Sequence, residues 1–298
     1  MNAQSLDQLL YHSDSLLIGE FSCRRDHPRF RNSGPARGDL VVFPYQAVLI
    51  HQDGHQPVVA NPQVVTLYNT WQEYQRHPIS DAGDHSIWLY FPRDCLTEAL
   101  IETGRDHQQM QQQPFRTAYA NCPSTTFLRQ RRLLEYLRRD QPHDPLLIHC
   151  EAMQILAEVL QQPQLQQGRG RHPGSRPTTR PHHRQLVRDS CAYLSRHYAK
   201  PCPLPQLASA VGSSPFHLNR LFRRHTGISL HQYQLQLRLR HALDRIDQGD
   251  SRLTDLALDL GFSSPSHFSR CFRQQFHCPP SAWQQQRQPA PAFLSAPA

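Results

Sequence analysis

Lysine is nearly absent from this 298-residue chain: Lys200 is the only one among 32 basic residues. The remaining cations are arginines, whose planar guanidinium pairs bidentately with guanine or phosphate as an ammonium does not. A GC-rich coding sequence would also raise the arginine content. Long apolar runs are missing as well: no stretch reaches eighteen residues, so no membrane-spanning helix and no membrane partner are expected. The opening MNAQSLDQLLYHSDSLL lacks the basic start, apolar core and small-residue cleavage site of a secretory leader. The eight cysteines (Cys23, Cys95, Cys122, Cys150, Cys191, Cys202, Cys271 and Cys278) include no C-x-x-C pair, which argues against a zinc ribbon or a disulfide framework. A reduced, cytoplasmic protein is the simplest reading. Glutamate is absent from residue 184 onward, where fourteen Lys and Arg face six Asp; residues 1–183 hold eighteen basic and eighteen acidic residues. The whole net charge of +8 therefore sits in the C-terminal part, and a basic unit attached to a neutral one suggests a polyanionic partner.

Residues 16–92 read as short strands. DLVVFPYQAVLIH (39–51), QPVVANPQVVTLYN (56–69) and HSIWLYFP (85–92) are broken by Gly38-Asp39, Asp53-Gly54, Asn61-Pro62 and Gly83-Asp84. Such spacing predicts a small antiparallel barrel or sandwich. The Gln-rich stretch 101–123 has no clear period and reads as irregular. Apolar residues then recur at helical spacing, in Phe127, Leu128, Leu133, Leu134 and Leu137 and again from Leu147 to Leu160. Pro142 and Pro145 separate the two runs, so a helical hairpin over 124–162 is expected. It would cover the barrel or contact a second subunit. Residues 163–184 are rich in Gln, Gly, Pro and Arg and read as a flexible linker, and the Pro/Ala-rich tail 286–298 as frayed.

Residues 204–233 and 253–283 resemble each other. Leu207-Ala208 and Gly212 recur 49 residues later as Leu256-Ala257 and Gly261. Pro215, His217, Arg220, Phe222, Arg223 and Tyr233 recur 50 residues later as Pro265, His267, Arg270, Phe272, Arg273 and Trp283. Each copy predicts a short helix, a glycine turn, a Ser-Pro helix start and a second helix with one apolar face. Leu218, Leu221 and Phe222 point inward in the first copy, and Phe268 and Phe272 in the second. A polar, basic helix held across a shorter one is helix-turn-helix geometry; a plain hairpin with a solvated charged face is the alternative. The intervening apolar spacing predicts one bridging helix of about eighteen residues, roughly 27 Å long. That length suits two readers in adjacent major grooves about 34 Å apart.

On LASAVGSSPFHLNRLFRRHTG (207–227), the QLQLRLRHA stretch and LALDLGFSSPSHFSRCFRQQFHCPPSAW (256–283), the chain resembles the AraC/XylS family of bacterial transcription regulators. The resemblance implies double-stranded DNA as partner, with base contacts from Phe216, Asn219, Arg220, Ser266, His267 and Arg270. Phosphate contacts would fall to Ser214, Arg223, Arg224, Ser264 and Arg273. It implies no enzyme activity, no cofactor and no metal. RNA polymerase would be a further partner of an activator. One departure is His277, which stands where the first copy has Gly227.

The expected fold is therefore α+β and multidomain. A β-rich, cupin-like sensor or dimerisation unit (1–123) precedes the hairpin (124–162) and the linker (163–184), and an all-α double helix-turn-helix unit follows (185–285). The cupin-like assignment follows the family's layout. A small effector and a homodimer are implied in the same way, with no effector residue identified. Tyr45, Tyr68, Tyr90, Trp71 and Trp88 would either line a ligand pocket or form core. His51 and His55, and Cys23 and His27, are four apart but lack the His-x-His and Glu pattern of a metal site. Two alternatives remain: a constitutive dimeric regulator without effector, and a metal-dependent cupin enzyme fused to a helical unit.

Overall fold

A computed structural model describes residues 6–32, 34–102, 113–166, 179–250 and 252–285. The tail 286–298, the linker segment 167–178 and residues 103–112 of the Gln-rich stretch lie outside the described residues.

Nine strands form two antiparallel sheets among the described residues. They are β1 (Asp7–Ser13), β2 (Leu16–Cys23), β3 (Leu40–Pro44), β4 (Val48–Gln52), β5 (Val58–Ala60), β6 (Val64–Tyr68), β7 (Tyr74–Pro78), β8 (Asp84–Tyr90) and β9 (Tyr119–Asn121). The larger sheet has the order β1-β2-β8-β3-β6-β9 and the smaller the order β5-β4-β7. Phe21, Val48, Ile50, Val58 and Tyr68 pack between them. Arg76 enters the same layer: its guanidinium binds Asp84 at 2.8 Å and lies 4.4 Å from the Phe21 ring centroid and 5.5 Å from that of Phe30. The interior between the sheets is thus filled by the chain's own side chains. The other face of the large sheet, with Ile18, Val41, Val65, Ile87 and Leu89, packs against helices. All five residues of β6 are consequently buried, which explains why VVTLY shows no polar alternation.

The covering helices are α1 (Arg93–Glu102), α2 (Ser124–Leu137) and α3 (Pro145–Leu160). Asp144 caps α3 by accepting from the Leu146 and Leu147 amides, with Pro145 at the first helical position. The expectation of irregular structure over 101–123 needs correction at both ends. Residues 101 and 102 finish α1, whose buried Leu96 and Leu100 are too few to display a period. Near the other end, β9 pairs Val64↔Asn121 through Thr66↔Tyr119, a ladder too short to show alternation. The expected linker also holds structure. Pro163–Gln166 forms one turn, α4, with Leu165 buried, and α5 (Thr179–His197) starts five residues before 184. Pro181 is tolerated there because amides of a first helical turn have no intrahelical partner.

Seven-residue α6 (Leu204–Ala210), α7 (Pro215–Thr226), α8 (Leu230–Asp247), α9 (Leu253–Asp259), α10 (Pro265–Phe276) and α11 (Pro280–Gln285) complete the described chain. Leu194, Leu207, Leu218, Phe222, Tyr233 and Leu237 form the core of the first helical unit. The second unit's core, with Leu256, Phe268, Phe272 and Phe276, is continuous with the N-terminal helices: Phe276 stacks on Phe127 at 6.5 Å. Polar bonds join the halves too. Arg131 of α2 binds Asp244 at 3.0 Å and Asp247 at 2.7 Å, and Asn61 donates to the Tyr233 hydroxyl at 2.7 Å. Arg240 donates to the carbonyls of Pro62 and Cys122.

Candidate nucleic-acid interface

Both repeats build the same local device. A short helix (α6, α9) ends at a glycine in the left-handed region, Gly212 at φ 69° and Gly261 at φ 78°, and the chain turns sharply into the longer helix (α7, α10). Ser214 then accepts from the His217 amide at 3.3 Å, and Ser264 from the His267 amide at 3.1 Å, each followed by proline at the first helical position. Each serine hydroxyl accepts inside its cap and retains its own O–H for an outside acceptor. The long helices close in the left-handed conformation, at Gly227 (φ 79°) and at His277 (φ 60°).

Capping and turn fix the rotation of each long helix, and its apolar stripe fixes the buried side. Leu218, Leu221 and Phe222 are buried in α7; Phe268, Cys271, Phe272 and Phe276 are buried in α10. On the opposite side of α7, Phe216 is 79% exposed, and Asn219, Arg220, Arg223 and Arg224 are exposed beside it. On α10, Ser266, Arg270 and Arg273 are exposed. His267 is half-buried, with Nδ1 3.1 Å from the Ser263 hydroxyl and its ring edge-on to Phe262 at 5.8 Å. Ser263, Ser264, Ser266, His267 and Arg270 together line an open hollow of about 500 Å³.

Arg220, Arg223, Arg224, Arg270 and Arg273 form no ion pair among the described residues. Arginines of the same unit away from these helices do pair: Arg245 with Asp250 and Asp259, and Arg252 with Asp255. The acids of the unit thus neutralise its flanks and leave the two long helices cationic.

Residues 207–286 match the protein family described as "Helix-turn-helix domain". The regulatory protein SoxS of Escherichia coli K12 is 34% identical over 99 residues, which span 33% of this chain and 92% of SoxS. The chain belongs to the AraC/XylS family. A second relative, the HTH-type transcriptional regulator GlxA of Rhizobium meliloti, is 37% identical over 83 residues, 28% of this chain and only 26% of GlxA. An AraC-type regulator structure from Chromobacterium violaceum is 30% identical over 39% of this chain and 100% of its own, with a TM-score of 0.32.

In this AraC/XylS chain the structure brings the candidate side chains onto two helix faces, five on α7 and four on α10, with Ser214 and Ser264 at their starts. Sequence reasoning overlooked the groups that hold these faces. Phe262 and Ser263 orient His267. Arg238 of α8 donates to the carbonyls of Tyr198 at 2.7 Å, Lys200 at 3.1 Å and Gly261 at 2.7 Å, tying the second turn to the end of α5. Its position in QLQLRLRHA gave no sign of this, because an arginine bound to carbonyls reads like a solvated one. The five aromatics weighed as pocket residues do not form one site: Tyr68 and Trp88 share the cluster between the sheets, Tyr45 bonds Gln130 under α2, and Trp71 is 71% exposed. His51 packs on His77 at 4.9 Å. Among the described residues no three His, Cys, Asp or Glu side chains gather as metal ligands, and no helix is long and apolar enough to cross a membrane.

Proposed function

We propose that the chain is a sequence-specific DNA-binding transcriptional regulator whose α7 and α10 enter adjacent major grooves of one duplex. The observation that carries this reading is the set of five exposed arginines that have no ion pair among the described residues, on two capped, repeated helices. Arg220 and Arg270 read guanine edges, Asn219, Ser266 and His267 bond neighbouring bases, and Phe216 packs on a thymine methyl. Arg223, Arg224 and Arg273 hold phosphates, joined by the hydroxyls of Ser214 and Ser264 and the first-turn amides behind them. The unequal faces, Phe-Asn-Arg and Ser-His-Arg, call for a site whose halves differ in sequence.

Residues 1–123 act as a cupin-like sensor and dimerisation unit, and an effector bound by the N-terminal half alters DNA binding. The α2–α3 hairpin supplies the dimer contact. Its support is the outer side of α3, where Leu146 is 71% exposed and Met153 38% exposed. Residues 185–285 form the DNA-binding unit, which contacts RNA polymerase if the protein activates.

The test is fluorescence anisotropy of the full chain on DNA from its own upstream region and on a scrambled duplex, at moderate salt. Specific binding is expected. Equal affinity for both duplexes refutes sequence-specific reading. Arg220→Ala and Arg270→Ala should each cost about 1–3 kcal/mol on the matched site and little on the scrambled one. An equal loss on both duplexes makes them phosphate contacts. The constitutive alternative draws on one observation, the filling of the space between the sheets by Arg76 and its aromatic neighbours.

A further inference from the structure

A crevice of about 660 Å³ opens at the seam between the strand half and the helical half. The β5–β6 region and the segment leading into β9 form one wall. Helix α5, the end of α7 and the start of α8 form the other. The volume lies inside the range of roughly 300–1,000 Å³ typical of small-molecule sites. Its lining has two chemical characters. Val58, Val64, Val187 and Ile228 give apolar surface, while Arg116, Arg184 and Arg188 bring three guanidinium groups. Among the described residues no Asp or Glu lines it. Arg188 lies 3.6 Å from Asp189, and Arg116 and Arg184 have no ion pair among the described residues. Thr117, also in the lining, has a buried hydroxyl without a hydrogen-bond partner among the described residues. Buried hydroxyls are ordinarily satisfied, so an orphan at a cavity wall suits a ligand acceptor.

We propose that this crevice, and not the space between the sheets, is the effector site, and that its ligand is a small organic anion with an apolar body. The proposal rests on the effector-controlled reading above. The anion pairs with Arg184 and Arg116, the Thr117 hydroxyl donates to one of its oxygens, and the body packs on the valines and Ile228. Arg116 and Arg184 are exposed, and charge-assisted bonds of this kind are stronger than neutral ones. Location supplies the coupling. His225 and Thr226 of the lining are the last turn of α7, whose first turn carries Phe216. Tyr233 of α8 lines the crevice too and binds Asn61 of the strand half. A ligand touching both walls favours the docked arrangement of the halves and so biases the placement of α7.

The experiment uses the full chain and two probes of similar shape, 8-anilinonaphthalene-1-sulfonate, an anion, and N-phenyl-1-naphthylamine, which is uncharged. The anion should bind saturably at one site per chain, tenfold or more tighter than the neutral probe. Arg184→Glu and Arg116→Glu should each weaken the anion at least tenfold and leave the neutral probe unchanged. Arg184→Gln gives a milder variant, and circular dichroism reports whether each folds. Arg31→Glu, an exposed charge reversal elsewhere, should have no effect. Unchanged anion binding in both crevice variants, equal loss in Arg31→Glu, equal affinity of the two probes, or no saturable binding overturns the site. DNA anisotropy with the anion bound separates the two claims. A change in DNA affinity abolished by Arg184→Glu supports both. Intact crevice binding without any change in DNA affinity refutes effector control from this site. A small-molecule response that survives both crevice variants overturns the site and leaves effector control standing.

Discussion

Replacing Arg131 by methionine should unlatch the strand half from the helical half. The Arg131 side chain is 2% exposed, and it bonds Asp244 at 3.0 Å and Asp247 at 2.7 Å, whose side chains are 12% and 6% exposed. Its guanidinium also lies 4.6 Å from the Tyr45 ring centroid. Methionine fills much of the volume but strands two carboxylates in a poorly solvated seam, and breaking a buried pair in this way costs about 3–5 kcal/mol. Both acids keep one donor, Trp283 Nε1 to Asp247 at 2.8 Å and Gln248 Nε2 to Asp244 at 3.1 Å, so the lower end, about 3 kcal/mol, is expected. Asp247→Asn in the Arg131→Met background should recover part of the loss, because a neutral amide no longer needs the cation. Trp283 reports on the seam directly, and it is one of only three tryptophans. Urea unfolding followed by its fluorescence, with Trp71 and Trp88 replaced by phenylalanine, would give the double-mutant cycle. A coupling of about 1–2 kcal/mol is expected. Costs that add to within about 0.5 kcal/mol would refute the latch. Calorimetry should turn one transition into two as the halves unfold separately.

Burial holds the His241 imidazole at about 4, against the opposing pull of Asp244. The unfolded imidazole, near 6.5, takes up a proton first as pH falls, so native stability should drop between pH 6.5 and about 4 and level off below. The wild-type urea midpoint should therefore fall by more than that of His241→Gln between pH 7 and 4.5, and parallel profiles would contradict the assignment. Alanine at the two turn glycines should separate strain from crowding. At Gly212 a Cβ meets nothing within 4 Å and only the positive φ is penalised, about 1 kcal/mol; at Gly261 it collides with the Ala199 carbonyl oxygen as well. Gly261→Ala should thus lower the melting temperature severalfold more than Gly212→Ala, and equal shifts would refute the crowding. His277→Gly relieves a left-handed residue worth about 1–2 kcal/mol while adding about 0.5–1 kcal/mol of unfolded-chain entropy. A net gain of about 0.5 kcal/mol is expected by urea titration, and a loss would mean that the His277 side chain makes a compensating contact.

The local features of this protein were written within a few residues of themselves. Ser214-Pro215 and Ser264-Pro265 state where helices start, because cap and first turn are neighbours in sequence. The stripes Leu218, Leu221, Phe222 and Phe268, Phe272 state which sides are buried, and the 18-residue length of α8 follows from unbroken helical spacing. Even the left-handed end at His277 was legible, by comparison with Gly227 in the other copy. The short pieces α1 and β9 were not, since two leucines or three strand residues carry no period. Nor did the sequence distinguish its arginines. Arg76, Arg131, Arg240 and Arg220 read alike, yet the first is sealed between two sheets, the next two latch the halves together, and the fourth is exposed on α7. Their fates depend on partners up to 178 positions away, which only packing brings near. The crevice between the halves is likewise a product of docking: neither wall forms it alone, and its arginines come from segments separated by more than sixty residues.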